Sequence, residues 1–148
     1  MAKRKFAFKD IKIREGDVNV DISMDRFEQQ FQNAQFYLDT MVMTSMIPYM
    51  PRVTGTFINL TKARSASIAG SGEVVAAAPP YGRFLYNGKV MVDPKTGSPY
   101  ARKGAKKKVT NKYIKYTNPK ATPKWFETAK QNHMDGWIRG IKGKAGGG

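Results

Sequence analysis

The densest chemistry in this sequence is cationic. Arg102-Lys-Gly-Ala-Lys-Lys-Lys108 places five positive side chains within seven residues and no acid among them. Lysine and arginine attract phosphates electrostatically and without regard to base sequence, so such a stretch suits a nucleic-acid backbone. Tyr113 and Tyr116 follow it and offer rings on which exposed bases could stack. An acidic protein surface would satisfy the same charges, and no recognised nucleic-acid-binding signature accompanies them. Residue chemistry leaves both partners open.

Other reactive constellations are absent. Acid–base catalysis needs two carboxylates held in one pocket, and the second half of the chain supplies Asp93, Glu127 and Asp135 alone. Asp93 precedes a proline in an evident turn. Asp21, Asp25 and Glu28 lie at or before a helix start, where the helix dipole accounts for negative charge. His133 is the single histidine. It has no Gly-x-Ser-x-Gly elbow to serve and too few companions for a zinc site, which takes three or four ligands. It reads as a partly buried helix residue. Cysteine is missing, which removes disulfides and thiolate chemistry and suits a reducing compartment. Glycine occurs 14 times but never in a dinucleotide or P-loop spacing. The expectation is a protein with no catalytic, cofactor-binding or metal-ligating residues and no cofactor: not an enzyme.

At 148 residues, 41% of them hydrophobic, the chain suits one domain with a real core. No apolar run approaches the ~20 residues that span a bilayer. Met1-Ala-Lys-Arg-Lys-Phe6 is basic but lacks the apolar segment of a signal peptide. The net charge of +15 is unevenly placed. Residues 1–74 carry 10 Lys/Arg and 8 Asp/Glu, whereas residues 75–148 carry 16 against 3. The second half is therefore the one that attracts anions.

Several elements must position these charges. Phe6, Phe8, Ile11 and Ile13, then Val18, Val20 and Ile22 across Glu15-Gly16-Asp17, predict a hairpin or a strand-forming arm over residues 1–22. Ser23 can cap a helix whose face is Phe27, Phe31, Ala34, Leu38, Met41, Val42 and Ser45. Pro48 ends that helix near Met46. Thr56 to Ala66 reads as a short helix or a strand. Ser67–Ala69 and Glu73–Ala78 flank Gly70-Ser-Gly72 as a β-hairpin. Tyr81 to Tyr86 reads as one or two helical turns before Asn87-Gly88, Lys89 to Asp93 as a strand, and Asp93 to Gly97 as a turn. From Arg102 to Lys124 lie nine Lys/Arg and no acid, a basic loop. Thr122-Pro123 opens a last helix along Trp125, Phe126, Ala129, His133 or Met134, and Trp137, up to Gly140. Residues 23–140 form the expected domain, and 141–148 a glycine-rich flexible tail.

Four segments together resemble one family, over residues 24–138. Pro51-Arg-Val-Thr-Gly-Thr-Phe57 resembles the segment that follows the first long helix in phage neck proteins. Pro80-Tyr-Gly-Arg-Phe-Leu-Tyr-Asn-Gly88 resembles their tyrosine-rich segment. Val90 to Pro99 with Ala101 to Lys108 is similar to minor capsid proteins of phages of Gram-positive bacteria, and Asn118 to Lys130 resembles their closing motif. The resemblance implies an α+β fold, with a long N-terminal helix packed on a small antiparallel sheet and a C-terminal helix. It also implies a structural virion protein made in the bacterial cytoplasm. Copies, six expected, would form a ring in the neck that joins head to tail, as a connector or tail-completion protein through which DNA passes. A small basic nucleic-acid-binding protein is the alternative.

Ring interfaces are heterologous, one patch meeting a different patch on the next copy. The candidate interface residues are Tyr81, Phe84, Tyr86, Trp125 and Phe126, with core as the competing role for these aromatics. Arg102, Lys103, Lys106, Lys107 and Lys108, in the loop 102–112, join them as contacts to neighbouring neck and tail proteins or, non-specifically, to genomic DNA, and the N-terminal arm is a further candidate for contacts with those proteins, ordering on assembly. No membrane partner is expected.

Overall fold

A computed structural model describes residues 6–52, 55–80 and 82–146. Strands β1 (Ile11–Glu15) and β2 (Val18–Ile22) lead into helix α1 (Asp25–Met46) and a 3-10 turn at Ile47–Tyr49. Helices α2 (Thr56–Ser67) and α3 (Gly82–Asn87) follow, then β3 (Lys89–Val92), β4 (Lys108–Tyr113) and α4 (Trp125–Lys144). The class is α+β. Among the described residues the strands form two separate antiparallel ribbons, β1–β2 and β3–β4. The long helix α1 lies chiefly along α4 rather than on either ribbon.

That helix pair makes the core. Val42, Met43 and Met46 of α1 meet Trp125, Ala129 and Trp137 of α4, with Met50 and Ile58 closing one end. These apolar side chains recur at helical spacing on both helices, so burying the two stripes against each other is the main gain. Trp137 Nε1 donates to Ser45 Oγ at 3.0 Å, which fixes the register of the pair. Gly140 permits the close approach: a Cβ there would sit 2.7 Å from Tyr37 Cε1. The helix does not stop at Gly140, so residues 141–144, expected as the start of a tail, are its last turn.

The start of α1 differs in detail from expectation. Its cap position is Met24, and Ser23 Oγ is only a distant acceptor, 3.4 Å from the Asp25 nitrogen. Asp25 and Glu28 occupy the first turn as expected. Phe27 and Phe31, expected in the core, are 46% and 37% exposed. Phe31 instead packs on Phe6 and Phe8 of the N-terminal segment, each ring centroid 5.6 Å away. Pro48 ends the α-helix, and the chain continues as a 3-10 turn because proline's missing N–H is not needed in the first positions of such a turn.

The hairpin expected around Gly70-Ser-Gly72 does not form. Ser67 is the last residue of α2, Ile68 and Ala69 lie in the turn after it, and residues 73–78 lie in no strand. Side chains take the place of a ladder. Ser65 Oγ accepts from the Val75 nitrogen and donates to the Val75 carbonyl, and Thr61 Oγ1 accepts from the Ala78 nitrogen. The turn itself is held by a group for which the sequence raised no expectation. Asp39, 4% exposed on α1, accepts the backbone N–H groups of Gly70 at 2.8 Å and Gly72 at 3.0 Å through one oxygen. Its other oxygen accepts Gln35 Nε2 at 2.8 Å. A buried carboxylate is tolerated when its lone pairs are so occupied.

Asp39→Ala leaves the Gly70 N–H buried without an acceptor and should cost about 2–3 kcal/mol. Asp39→Asn, which keeps an acceptor oxygen, should cost less. Urea denaturation of the three proteins measures the order, and equal stability of wild type and Asp39→Ala would refute the role.

Candidate assembly surface

The basic half of the chain is organised around β3–β4 and α3. At the end of β3, Asp93 is completely buried at 0% relative exposure. Its carboxylate receives Arg102 Nε at 2.9 Å and Nη2 at 3.3 Å, together with the backbone nitrogens of Lys95, Thr96 and Arg102. A forked guanidinium and several N–H donors favour the charged acid. The Arg102 bonds, then the Lys95 and Thr96 amides, hold the Asp93 carboxyl far below its ordinary value. Arg102 is raised in turn, first by its hydrogen bond to Asp93 and then by that charge. The turn read from Asp93-Pro-Lys-Thr-Gly97 is thus the neck of a larger loop, clipped shut between residues 93 and 102.

Beyond the clip the expected basic loop is partly a strand. Thr110 Oγ1 donates to the Val90 carbonyl, and Ile114 N–H to that of Gly88. Lys103 and Lys106 are exposed before the strand, and Lys108 stands exposed at its start. Lys107 turns inward, with Nζ 5.7 Å from the centroid of the Phe84 ring. Arg83 lies 5.5 Å from the centroid of the same ring, so the half-buried Phe84 is bracketed by cations. Between α3 and the ribbon runs a groove of about 370 Å³ lined by Arg83, Phe84, Asn87, Lys89, Met91, Val109 and Lys124. Its described lining holds no acid.

The aromatic candidates divide. Trp125 is core at 0% exposure, so it has no surface to offer a neighbour. Tyr86 meets it edge-on at 4.8 Å. Burial first, and the charge of Glu127 second, push the Tyr86 hydroxyl pKa up. Phe126 stacks on Trp137 at 6.4 Å and lines an apolar cleft with Leu38 and Val42. Tyr81 lies outside the described residues. Tyr116 is not free to stack on a base, since its hydroxyl donates to the Leu85 carbonyl at 2.6 Å and burial raises its pKa. Tyr113 is 71% exposed, with Lys89 Nζ 5.9 Å from the centroid of its ring. His133 is half-buried as expected, its Nε2 3.3 Å from the Tyr49 hydroxyl.

The N-terminal arm, the other expected contact to neighbouring proteins, carries a second surface. Ile11 pairs with Ile22 and Ile13 with Val20 across β1–β2, and Glu15 with Val18. All side chains of one pleat face the same side, so one face is apolar apart from Glu15 at its tip. Its five aliphatic residues are 41–63% exposed. The base of this ribbon is tied down. Phe8 N–H donates to Glu28 Oε1 at 2.6 Å and Met24 N–H to Asp10 Oδ1 at 2.8 Å. The alternation in the sequence signalled the strands, but not that their apolar face would be left uncovered.

A family model described as "Minor capsid protein" matches residues 11–144. The chain belongs to this minor capsid protein family. The match extends on the N-terminal side to include the β1–β2 hairpin, which the motif resemblance from residue 24 onward had left out. No curated protein and no solved structure matches the chain. This minor capsid protein is therefore a structural protein of a phage virion, where its partners are other virion proteins. Among its described residues no helix is long and apolar enough to cross a membrane, and no group of three or more His, Asp or Glu could hold a metal ion.

The Asp93 clip has a defined pH signature. A carboxyl whose folded pKa is depressed adds stability above its unfolded value, near 3.8, and loses that contribution as pH falls through the folded value. The melting-temperature gap between wild type and Asp93→Asn should stay constant from pH 7 to about 4 and close only in stronger acid. Thermal melts across that range test it, and a gap that closes already near pH 6 would refute it.

Proposed function

We propose that this minor capsid protein builds a ring in the phage neck, six copies being the expected number, and that the ring joins the head and portal complex to the tail. Its work is assembly, not catalysis. The observation that carries the reading is the apolar face of β1–β2, held away from the core on an anchored base and uncovered in a single copy. Contiguous exposed apolar surface of this kind marks a place where another protein sits. Support also comes from the two buried carboxylates. Asp39 and Asp93 are both fully occupied as structural acceptors, which leaves neither for acid–base chemistry. Lys103, Lys106 and Lys108 would meet acidic surfaces of adjacent neck or tail proteins.

The acid-free groove beside Phe84 also favours a second reading, a small basic protein that binds nucleic acid. Affinity for free duplex that falls steeply with salt would support that reading. Negligible duplex binding, together with rings in electron micrographs of the purified protein, would support the neck ring.

Lys106→Glu, Lys107→Glu and Lys108→Glu combined should leave the fold intact by circular dichroism, because Lys106 and Lys108 are exposed and Lys107 is half-buried at the Phe84 ring, outside the core. Phage carrying the triple change should accumulate unjoined heads and tails. Normal joining frequency would remove the basic segment from the interface.

A further inference from the structure

The two unusual surfaces complement each other in charge and in polarity. Residues 10–28 hold Asp10, Glu15, Asp17, Asp21, Asp25 and Glu28 against Lys12, Arg14 and Arg26, an acidic balance on a strongly basic chain, and Glu15 and Asp17 flank Gly16 at the hairpin tip. The groove between α3 and the β3–β4 ribbon has the opposite character. Phe84, Met91 and Val109 form its apolar part, and Arg83, Lys89 and Lys124 supply positive charge. The ribbon's apolar face bears one charge, Glu15, opposite Val18 and beside the Gly16-Asp17 turn. An apolar blade with an acidic tip thus matches an apolar slot with a basic rim.

We propose that the β1–β2 hairpin of one copy seats in the α3/β3–β4 groove of the next copy, with Glu15 and Asp17 meeting Arg83 and Lys89. The inference rests on the ring reading above and deepens it by naming the two patches. Three features argue for a second copy as the occupant. Because the groove patch differs from the blade patch, the contact is heterologous, the kind that repeats around a ring. A two-stranded ribbon alone is marginally stable in water, so covering its apolar face stabilises the ribbon as well as the contact. The opposed charges also offset the repulsion between copies of a chain with net charge +15, where the hairpin supplies the local negative potential.

The test uses the absence of cysteine from the chain. Val20 and Val109 are 41% and 55% exposed, so cysteine at either position should leave the core undisturbed. Full-length protein carrying Val20→Cys and Val109→Cys together should give a ladder of disulfide-linked oligomers on oxidation. Each single variant should stop at the dimer or remain monomeric. Independently, Glu15→Lys with Asp17→Lys should lower the association constant by roughly tenfold or more, as should Arg83→Glu with Lys89→Glu. Mixing the two charge-reversed proteins should restore only the contact between unlike copies, whereas all four changes on one chain should restore self-assembly. That rescue separates a broken contact from a broken fold. If the wild-type protein stays monomeric in sedimentation at every concentration, both the ring and this contact are wrong. Should wild type assemble while the cysteine pair gives no ladder and the charge swap gives no rescue, the ring stands and the hairpin-in-groove contact is overturned.

Discussion

Trp125 has no exposed surface, and stretches distant in sequence converge on its ring. Phe57 of α2 meets it at 5.9 Å and Tyr86 of α3 at 4.8 Å, both edge-on, while its Nε1 donates to the Ala76 carbonyl at 2.8 Å. A buried indole brings a large apolar area and one donor that must be satisfied, so its partners are constrained in position as well as in contact. The backbone just before it is constrained too. Lys124 sits in the left-handed region at φ 51°, and its N–H reaches the Tyr86 carbonyl at 2.7 Å. Inserting Trp125 therefore sets where α4 begins and how α3 lies against it. The groove between α3 and β3–β4 inherits its shape from that single burial.

The same logic of side chain to backbone governs the irregular stretches. Asn118 Nδ2 donates to the carbonyls of Pro48 and Met50, and Thr117 Oγ1 to that of Arg52. These bonds hold the segment before α4 against the connector after α1. Ser65 and Thr61 do likewise for residues 75–78, and Asp39 for the Gly70 turn. In these stretches irregular backbone finds its partners in side chains distant along the sequence. Among the described residues, Arg102 is committed to Asp93, whereas Lys103, Lys106 and Lys108 stand exposed. A surface so charged and so little paired within one copy is consistent with a protein that completes its interactions in a larger particle.

Much of the framework is legible in the sequence. The three- and four-residue spacing of Ala34, Leu38, Val42 and Ser45 announced α1, and the alternation across Gly16-Asp17 announced β1–β2, because these patterns reflect local periodicity. Pro48, Gly88 and Pro123 marked boundaries for equally local reasons of backbone geometry. The uneven charge placed the anion-attracting surface in the second half. What local pattern determined by itself, then, was the long helix α1, the strands of β1–β2, the start of α4, and which half of the chain is basic.

Tertiary structure decided the rest. Gly70-Ser-Gly72 looked like a hairpin turn because glycine signals a turn without saying what it connects, and here it follows the end of α2 and is held by Asp39 reaching from α1. Asp93 looked like an ordinary turn residue until Arg102, nine positions on, closed over it. Phe27 and Phe31 carried the periodicity of a core face yet stay partly exposed, Phe31 against Phe6 and Phe8 and beside Ile141 in the last turn of α4, and periodicity cannot tell how completely a neighbour covers a face. The exposed blade and the basic groove are likewise products of packing. A sequence states which side chains are apolar or charged, but which of them remain uncovered depends on what the fold brings alongside.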